Sequence, residues 1–121
     1  MMTPLMIIAL TLYSEAGGEP ISNKMAVGSV IWNRAGGDVE KLEAVCLKPR
    51  QFSCWNAGTP KTPGKRDRAW ADCIGIASAM LSGKFAPVTR ATHYHDTSIK
   101  PPYWARDMKL VLAEARLRFY A

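Results

Sequence analysis

Cysteine is scarce in this chain, with only Cys46, Cys54 and Cys73. No two of them form a CxxC pair. An odd count excludes a fully paired disulfide framework. Three reduced, mostly buried thiols are the simpler reading, and one bridge with a spare thiol is the alternative; the former suits folding in a reducing compartment. Long apolar runs are missing as well. A bilayer-spanning helix needs about 20 apolar residues, and the apolar start from Met1 to Tyr13 is shorter than that. This start also lacks a basic leader and a small-residue cleavage site, so we read it as the first core helix and not as a signal peptide. No internal repeat or low-complexity segment occurs. Phosphate loop, nucleophile elbow, dinucleotide fingerprint and HExxH zinc motif are all absent, so the sequence gives no support for the chemistries they carry.

What remains is ordinary globular material of a basic kind. The 121 residues are 48% hydrophobic and 21% charged, a composition that buries a core and does not stay disordered. We expect one domain over residues 1–121. The net charge of +6 points to an acidic partner or surface. Nucleic acid, an anionic membrane and the anionic bacterial wall all fit, as does a soluble basic protein with no such partner. Charge alone does not choose among them.

Helical spacing dominates the pattern. Leu5 to Ala16 reads as a buried helix closed by Gly17 and Gly18 in the left-handed conformation. A second helix starts at Ser22 as N-cap and carries Ala26, Val27, Val30 and Ile31 at helical intervals until Arg34. A short helix from Val39 to Cys46 is weakly signalled. Residues 48–64 read as an irregular loop rich in Pro and Gly, ordered by Phe52 and Trp55. A third long helix runs from Asp67 to Leu81, with Trp70, Cys73, Ile74, Ala77 and Leu81 as its stripe and Gly83 behind it. Ala91 to His95 reads as extended. A last helix is expected from Trp104 to Phe119, with Met108, Val111, Leu112, Ala115 and Phe119 inward. Arg106, Lys109, Arg116 and Arg118 would form its solvated face, with attraction to an anionic wall as the functional alternative.

Three segments hold groups suited to chemistry. Glu15 ends an apolar helix in the run Tyr13-Ser14-Glu15-Ala16-Gly17-Gly18-Glu19. A carboxyl half in the core is disfavoured in its charged form, and one that keeps its proton near neutrality can protonate a leaving oxygen. The plain alternative is a surface carboxylate. Glu19 lies beyond the glycines, in a turn. Gln51-Phe52-Ser53-Cys54-Trp55 combines amide, hydroxyl and aromatic faces, which match the hydroxyl edges and C–H faces of sugars; a loop merely pinned to the core would look the same. In Thr92-His93-Tyr94-His95, the alternation of an extended chain puts both histidines on one side and Tyr94 on the other. Zinc would need a third ligand that no motif supplies, so we expect hydrogen-bonded histidines lining a cleft and no metal. A Cys54–His93 nucleophile pair has no local support. Lys61, Lys65, Arg66 and Arg68 could grip phosphates, but without a nucleic-acid motif this reading is weak.

The runs LTLYSEAGGEPISNKMAVGSVIWNR, QFSCW and ATHYH, in this order over residues 9–95, resemble the cell-wall hydrolase family of the spore cortex-lytic enzymes. The resemblance implies a mainly α (α+β), lysozyme-like fold with a substrate groove. It implies lytic transglycosylase action on the bond between N-acetylmuramic acid and N-acetylglucosamine in peptidoglycan glycan strands. The family's catalytic glutamate falls on Glu15 and its second glutamate, a supporting residue, on Glu19. Asn33, Gln51, Ser53, Trp55, His93, Tyr94 and His95 fall on the other recurrent positions and are expected to bind substrate. No cofactor, no nucleic acid, no integral membrane segment and a monomeric state are expected. Ser14 departs from the glycine common at that position, and Gly18 abuts Gly17.

The chain looks like the stand-alone form found in phages and prophages, an endolysin. It is expected to be made in the cytoplasm and to act at the bacterial wall or from a phage particle, its export route open. Two rival readings stand beside this one. The first is a hydrolytic muramidase, with Glu19 or Asp96 as its second carboxylate. The second is a wall- or nucleic-acid-binding module without catalysis.

Overall fold

A computed structural model describes residues 2–56, 60, 63–64 and 67–121. Helix α1, Pro4–Ala16, starts where the Thr3 side chain accepts the Met6 N–H and a proline occupies the first turn, a position that needs no N–H donor. Ile7, Ile8, Ala9, Leu10, Thr11 and Leu12 are buried in succession, so this helix is covered on all sides. It packs against α2 (Ile21–Arg34), α3 (Leu42–Leu47), α4 (Ser53–Asn56) and α5 (Arg68–Leu81). The expected inward residues of α2, Ala26, Val27, Val30 and Ile31, are all fully buried. In α5 the buried residues are Cys73, Ile76, Ala77 and Met80, so Ile74 and Leu81 sit at the edge of the stripe.

Four local readings change. Gly17 caps α1 with a right-handed φ of −58°. Its lack of a side chain matters for another reason: a Cβ there would collide with the Tyr13 carbonyl oxygen. Left-handed glycines do follow α2, at Gly36 and Gly37. The N-cap of α2 is Pro20, without a side-chain capping bond, and Ser22 lies inside the first turn. The expected helix at 39–46 is split into a 3-10 turn, Val39–Lys41, capped by Asp38, and α3. Within the expected loop at 48–64, α4 forms a short helical turn. Asp67 caps α5 through its Oδ1, which accepts the N–H groups of Ala69 at 2.9 Å and Trp70 at 3.3 Å.

The expected final helix is not formed. Tyr103–Arg106 make a 3-10 turn, and Leu110–Glu114 (β2) and Leu117–Tyr120 (β3) form a hairpin. With β1 (His93–Asp96) they make an antiparallel sheet in the order β1-β3-β2. The reason is visible in the last residues. Leu117 and Phe119 are buried while Arg118 and Tyr120 are not, a period of two, which belongs to a strand. The two-residue turn at Ala115-Arg116 is possible because Ala115 adopts φ 47°. Arg106, Lys109, Arg116 and Arg118 therefore share no helix face.

The buried apolar residues join the helices and the sheet in one cluster, from Ile8 and Leu12 through Leu42, Phe52 and Met80 to Phe119. Cys46, Cys54 and Cys73 are free thiols. Burial pushes Cys46 up to about 12 and Cys73 up to about 11, so both stay protonated.

Candidate active site

The last turn of α1 and the turn that follows form the floor of a cleft of about 600 Å³. Tyr13, Ser14, Glu15, Glu19, Cys54, Asp67, Asp96 and Arg116 contribute to its walls. Glu15 is half-buried. The O–H of Tyr94 donates to its Oε1. Burial pushes the Glu15 carboxyl above its ordinary range, against the pull of the Tyr94 hydroxyl and of the Arg34 charge. Tyr94 stays protonated, because burial and the neighbouring Glu15 raise its phenol well above the usual value. It therefore remains a donor to Glu15. A proton on Glu15 is cheap to hold and, once released, leaves a carboxylate with one hydroxyl and one cation in support.

Glu19 faces the same cleft in a different setting. The Arg116 guanidinium lies 3.7 Å from its Oε1, and the Asn23 amide donates to its Oε2 at 3.3 Å. The same amide nitrogen donates to the Glu114 carbonyl at 3.3 Å. These contacts clip the hairpin tip to the turn after α1, and so set one wall of the cleft. Asp96 accepts the Ser98 N–H at 2.8 Å. That bond, assisted by Arg116 and His95, holds its carboxyl below the usual range. Asp67, besides capping α5, accepts the Tyr13 O–H through its Oδ2.

The remaining expected site residues divide. Trp55 is half-buried and donates its indole N–H to Thr11 at 2.9 Å; Thr11 in turn donates to the Ile7 carbonyl at 2.7 Å. This anchors α4 to α1. Ser53 is exposed at the start of α4. Gln51 and His93 line a second pocket beside Arg34. Neither they nor Asn33 are among the residues lining the Glu15 cleft. Asn33 donates to the carbonyls of Thr89 at 2.9 Å and Ala91 at 2.8 Å, bracing the chain that leads into β1. His95 is buried, stacked on Tyr120 and hydrogen-bonded to its hydroxyl at 2.9 Å. The alternation expected for β1 holds: both imidazoles meet Trp104, and Tyr94 points the other way, onto Phe119 and Glu15. The two histidines thus belong to an aromatic cluster, while Tyr94 alone of the three reaches Glu15. Among the described residues no group of three or more His, Cys, Asp or Glu side chains could hold a metal ion. No helix among them is long and apolar enough to cross a membrane. Lys61, Lys65 and Arg66 lie outside the described residues, and Arg68 is exposed on the first turn of α5.

Sequence reading missed Arg34 and the Tyr13–Asp67 pair, and placed Arg116 on a helix face. Arg34 donates its Nε–H to the Thr92 carbonyl at 2.7 Å and lies 5.7 Å over the Phe52 ring. Its signal was a cation directly after Asn33 in the last turn of α2. The signal for Arg116 was the alternation that follows it.

The domain is mainly helical with a small sheet, and it sets one carboxyl, pushed above its ordinary range by burial, in an open cleft. The cell wall hydrolase family profile matches residues 18–120, and the chain belongs to that family. Glu15 lies just ahead of the matched span, and Glu19 lies within it. The fold is also that of two solved structures. The catalytic domain of the germination-specific lytic transglycosylase SleB from Bacillus anthracis superposes with a TM-score of 0.75 at 21% identity, over 98% of this chain and 93% of that one. The catalytic domain of the Bacillus cereus SleB protein gives 0.73 at 21% identity, over 98% and 89%. No curated protein matches the chain.

Proposed function

We propose that this protein is a lytic transglycosylase that cuts peptidoglycan glycan strands between N-acetylmuramic acid and N-acetylglucosamine, with Glu15 as the catalytic acid. The observation that carries the reading is the Glu15 carboxyl, pushed by burial in the cleft above its ordinary range and held by the Tyr94 hydroxyl. The family and the description of one structural neighbour as a lytic transglycosylase support the substrate and the reaction.

Glu15 gives its proton to the glycosidic oxygen, and the leaving sugar departs as an alcohol. The substrate's own acetamido oxygen stabilises the cationic muramic C1. Glu15, now a carboxylate supported by Tyr94 and Arg34, takes the proton of the muramic C6 hydroxyl. The C6 oxygen closes on C1, forming the 1,6-anhydro ring, and Glu15 is protonated again. Glu19, tied to Arg116 and Asn23, keeps the cleft wall in place.

One observation favours a hydrolytic variant. Asp96 lines the same cleft with its carboxyl held in the charged form, as a base for an attacking water requires. An inverting hydrolase needs its two carboxyls roughly 6.5–9.5 Å apart and a retaining one about 5 Å apart. Mass spectrometry of digested peptidoglycan separates the two. Anhydro-muramic ends support the transglycosylase, and reducing ends alone overturn it. A protein that sediments with walls and never clears them is a binding module, and both enzymatic readings then fail.

A further inference from the structure

A second pocket, of about 320 Å³, is walled by Arg34, Val45, Lys48, Gln51 and His93. Its charge is opposite to that of the acid cleft. The cleft holds Glu15, Glu19, Asp67 and Asp96 against one arginine, Arg116, whereas the pocket is lined by an arginine, a lysine, an amide and an imidazole, with no carboxylate on its wall. Arg34 joins the two sites, because its charge acts on both Glu15 and His93. Among the described residues the guanidinium is hydrogen-bonded through Nε alone, to Thr92, and lies over the Phe52 ring. Its Nη1 is buried and has no hydrogen-bond partner among the described residues. A buried charged donor left unpaired costs free energy, and a bound anion would offset that cost. Thr92 Oγ1 lies 3.0 Å from His93 Nδ1 and fixes the ring. Gln51 and Lys48 are exposed at the rim, where they can meet a ligand without rearranging the core.

We propose that this pocket is a carboxylate subsite for the wall substrate. A planar guanidinium beside an ammonium and an amide suits a carboxylate, which accepts on both oxygens. The proposal rests on the peptidoglycan reading above and names one part of the substrate that the protein grips outside the Glu15 cleft. In peptide-bearing strands the muramic lactyl group is tied up as an amide, so a carboxylate comes from the stem peptide. In strands stripped by an amidase the lactyl carboxylate itself is free.

The test is a KM-against-kcat comparison of wild type and Lys48→Glu on both kinds of strand, with Lys84→Glu as a charge-matched control in a different surface groove. Lys48→Glu should raise KM about tenfold with kcat nearly unchanged, the mark of lost uniform binding. A penalty confined to peptide-bearing strands assigns the stem peptide, and one confined to stripped strands assigns the lactyl group. Unchanged KM on both overturns the subsite. A binding readout stands apart from activity: N-acetylmuramic acid and muramyl dipeptide should move the His93 ring resonances where N-acetylglucosamine does not. If wild type clears no wall, the peptidoglycan reading fails, and the titration alone then judges the pocket. Shifts no larger than those of N-acetylglucosamine overturn it.

Discussion

The last turn of α1 and the turn immediately after it each present a glutamate to one cleft, four residues apart, and give them different partners. Glu15 is still on the helix, so its side chain leaves from a backbone already packed against core. Its neighbours are a phenol and a partly buried guanidinium, and burial wins over both in setting its proton affinity. Glu19 follows the Gly17-Gly18 bend and meets an exposed arginine and an amide. Proximity in sequence says little about role here. What separates the two carboxyls is their partners, a phenol for Glu15 and a guanidinium with an amide for Glu19.

The largest way to break this contrast is to neutralise each glutamate. Glu15→Gln should cut wall-clearing by about 10³-fold, within the range of general acid catalysis, while leaving the protein folded and bound to walls. Glu19→Gln should cost only about tenfold, through a loosened hairpin tip, as befits one hydrogen-bonded ion pair. Turbidity loss of wall suspensions measures both. Equal losses would erase the distinction, and a harmless Glu15→Gln would move the acid to Glu19.

The pH profile sharpens the same point. The protonated form of Glu15 starts the reaction, so kcat/KM should fall as pH rises through its elevated pKa. Tyr94→Phe removes a hydroxyl that favours the charged form, so the alkaline limb should move to higher pH. The rate at the optimum should drop about tenfold, because the carboxylate left after proton donation loses a partner. An alkaline limb that stays in place in Tyr94→Phe would detach the phenol from the acid.

Stability gives a smaller effect of known sign. A carboxyl whose folded pKa lies above its unfolded value binds more protons in the native state between the two. Native stability therefore falls as pH rises from the ordinary value of 4.5 through the elevated folded one, at about 1.4 kcal/mol per unit of difference. Glu15→Gln removes that loss. It should melt above wild type at neutral pH, with the gap closing as pH falls toward the ordinary glutamate value. A gap that is constant with pH would mean Glu15 is not desolvated.

Much of this was legible in the residues, and the exceptions share a cause. Helices α1, α2 and α5 announce themselves by apolar spacing, because each buries a face whatever the rest of the chain does. The half-buried setting of Glu15 was legible from its place at the end of an apolar helix. The Tyr94 contact bridges 79 positions, and no local pattern encodes such a pairing; only the family's ordering of motifs pointed to both residues. Asn33 and His95 sit at recurrent positions, yet their polar groups are spent on Thr89, Ala91 and Tyr120. Arg116 was misassigned because Met108, Val111, Leu112, Ala115 and Phe119 satisfy a helical period by coincidence. The strand period of Leu117 and Phe119 competes with it over only four residues.

That last ambiguity has a test whose sign decides it. Ala115 is held at φ 47° in the turn between β2 and β3. The left-handed region costs an alanine roughly 1–2 kcal/mol, and glycine avoids this at an entropic cost of roughly 0.5–1 kcal/mol. Ala115→Gly should therefore stabilise the protein by about 0.5 kcal/mol, or about 2 °C in Tm for a domain of this size. In a helix running through position 115, the same exchange would destabilise by about 1 kcal/mol. A single pair of melting curves thus distinguishes a hairpin that delivers Arg116 to the cleft from a helix that would carry it away. A lower Tm for Ala115→Gly would remove the wall on which Glu19 is held.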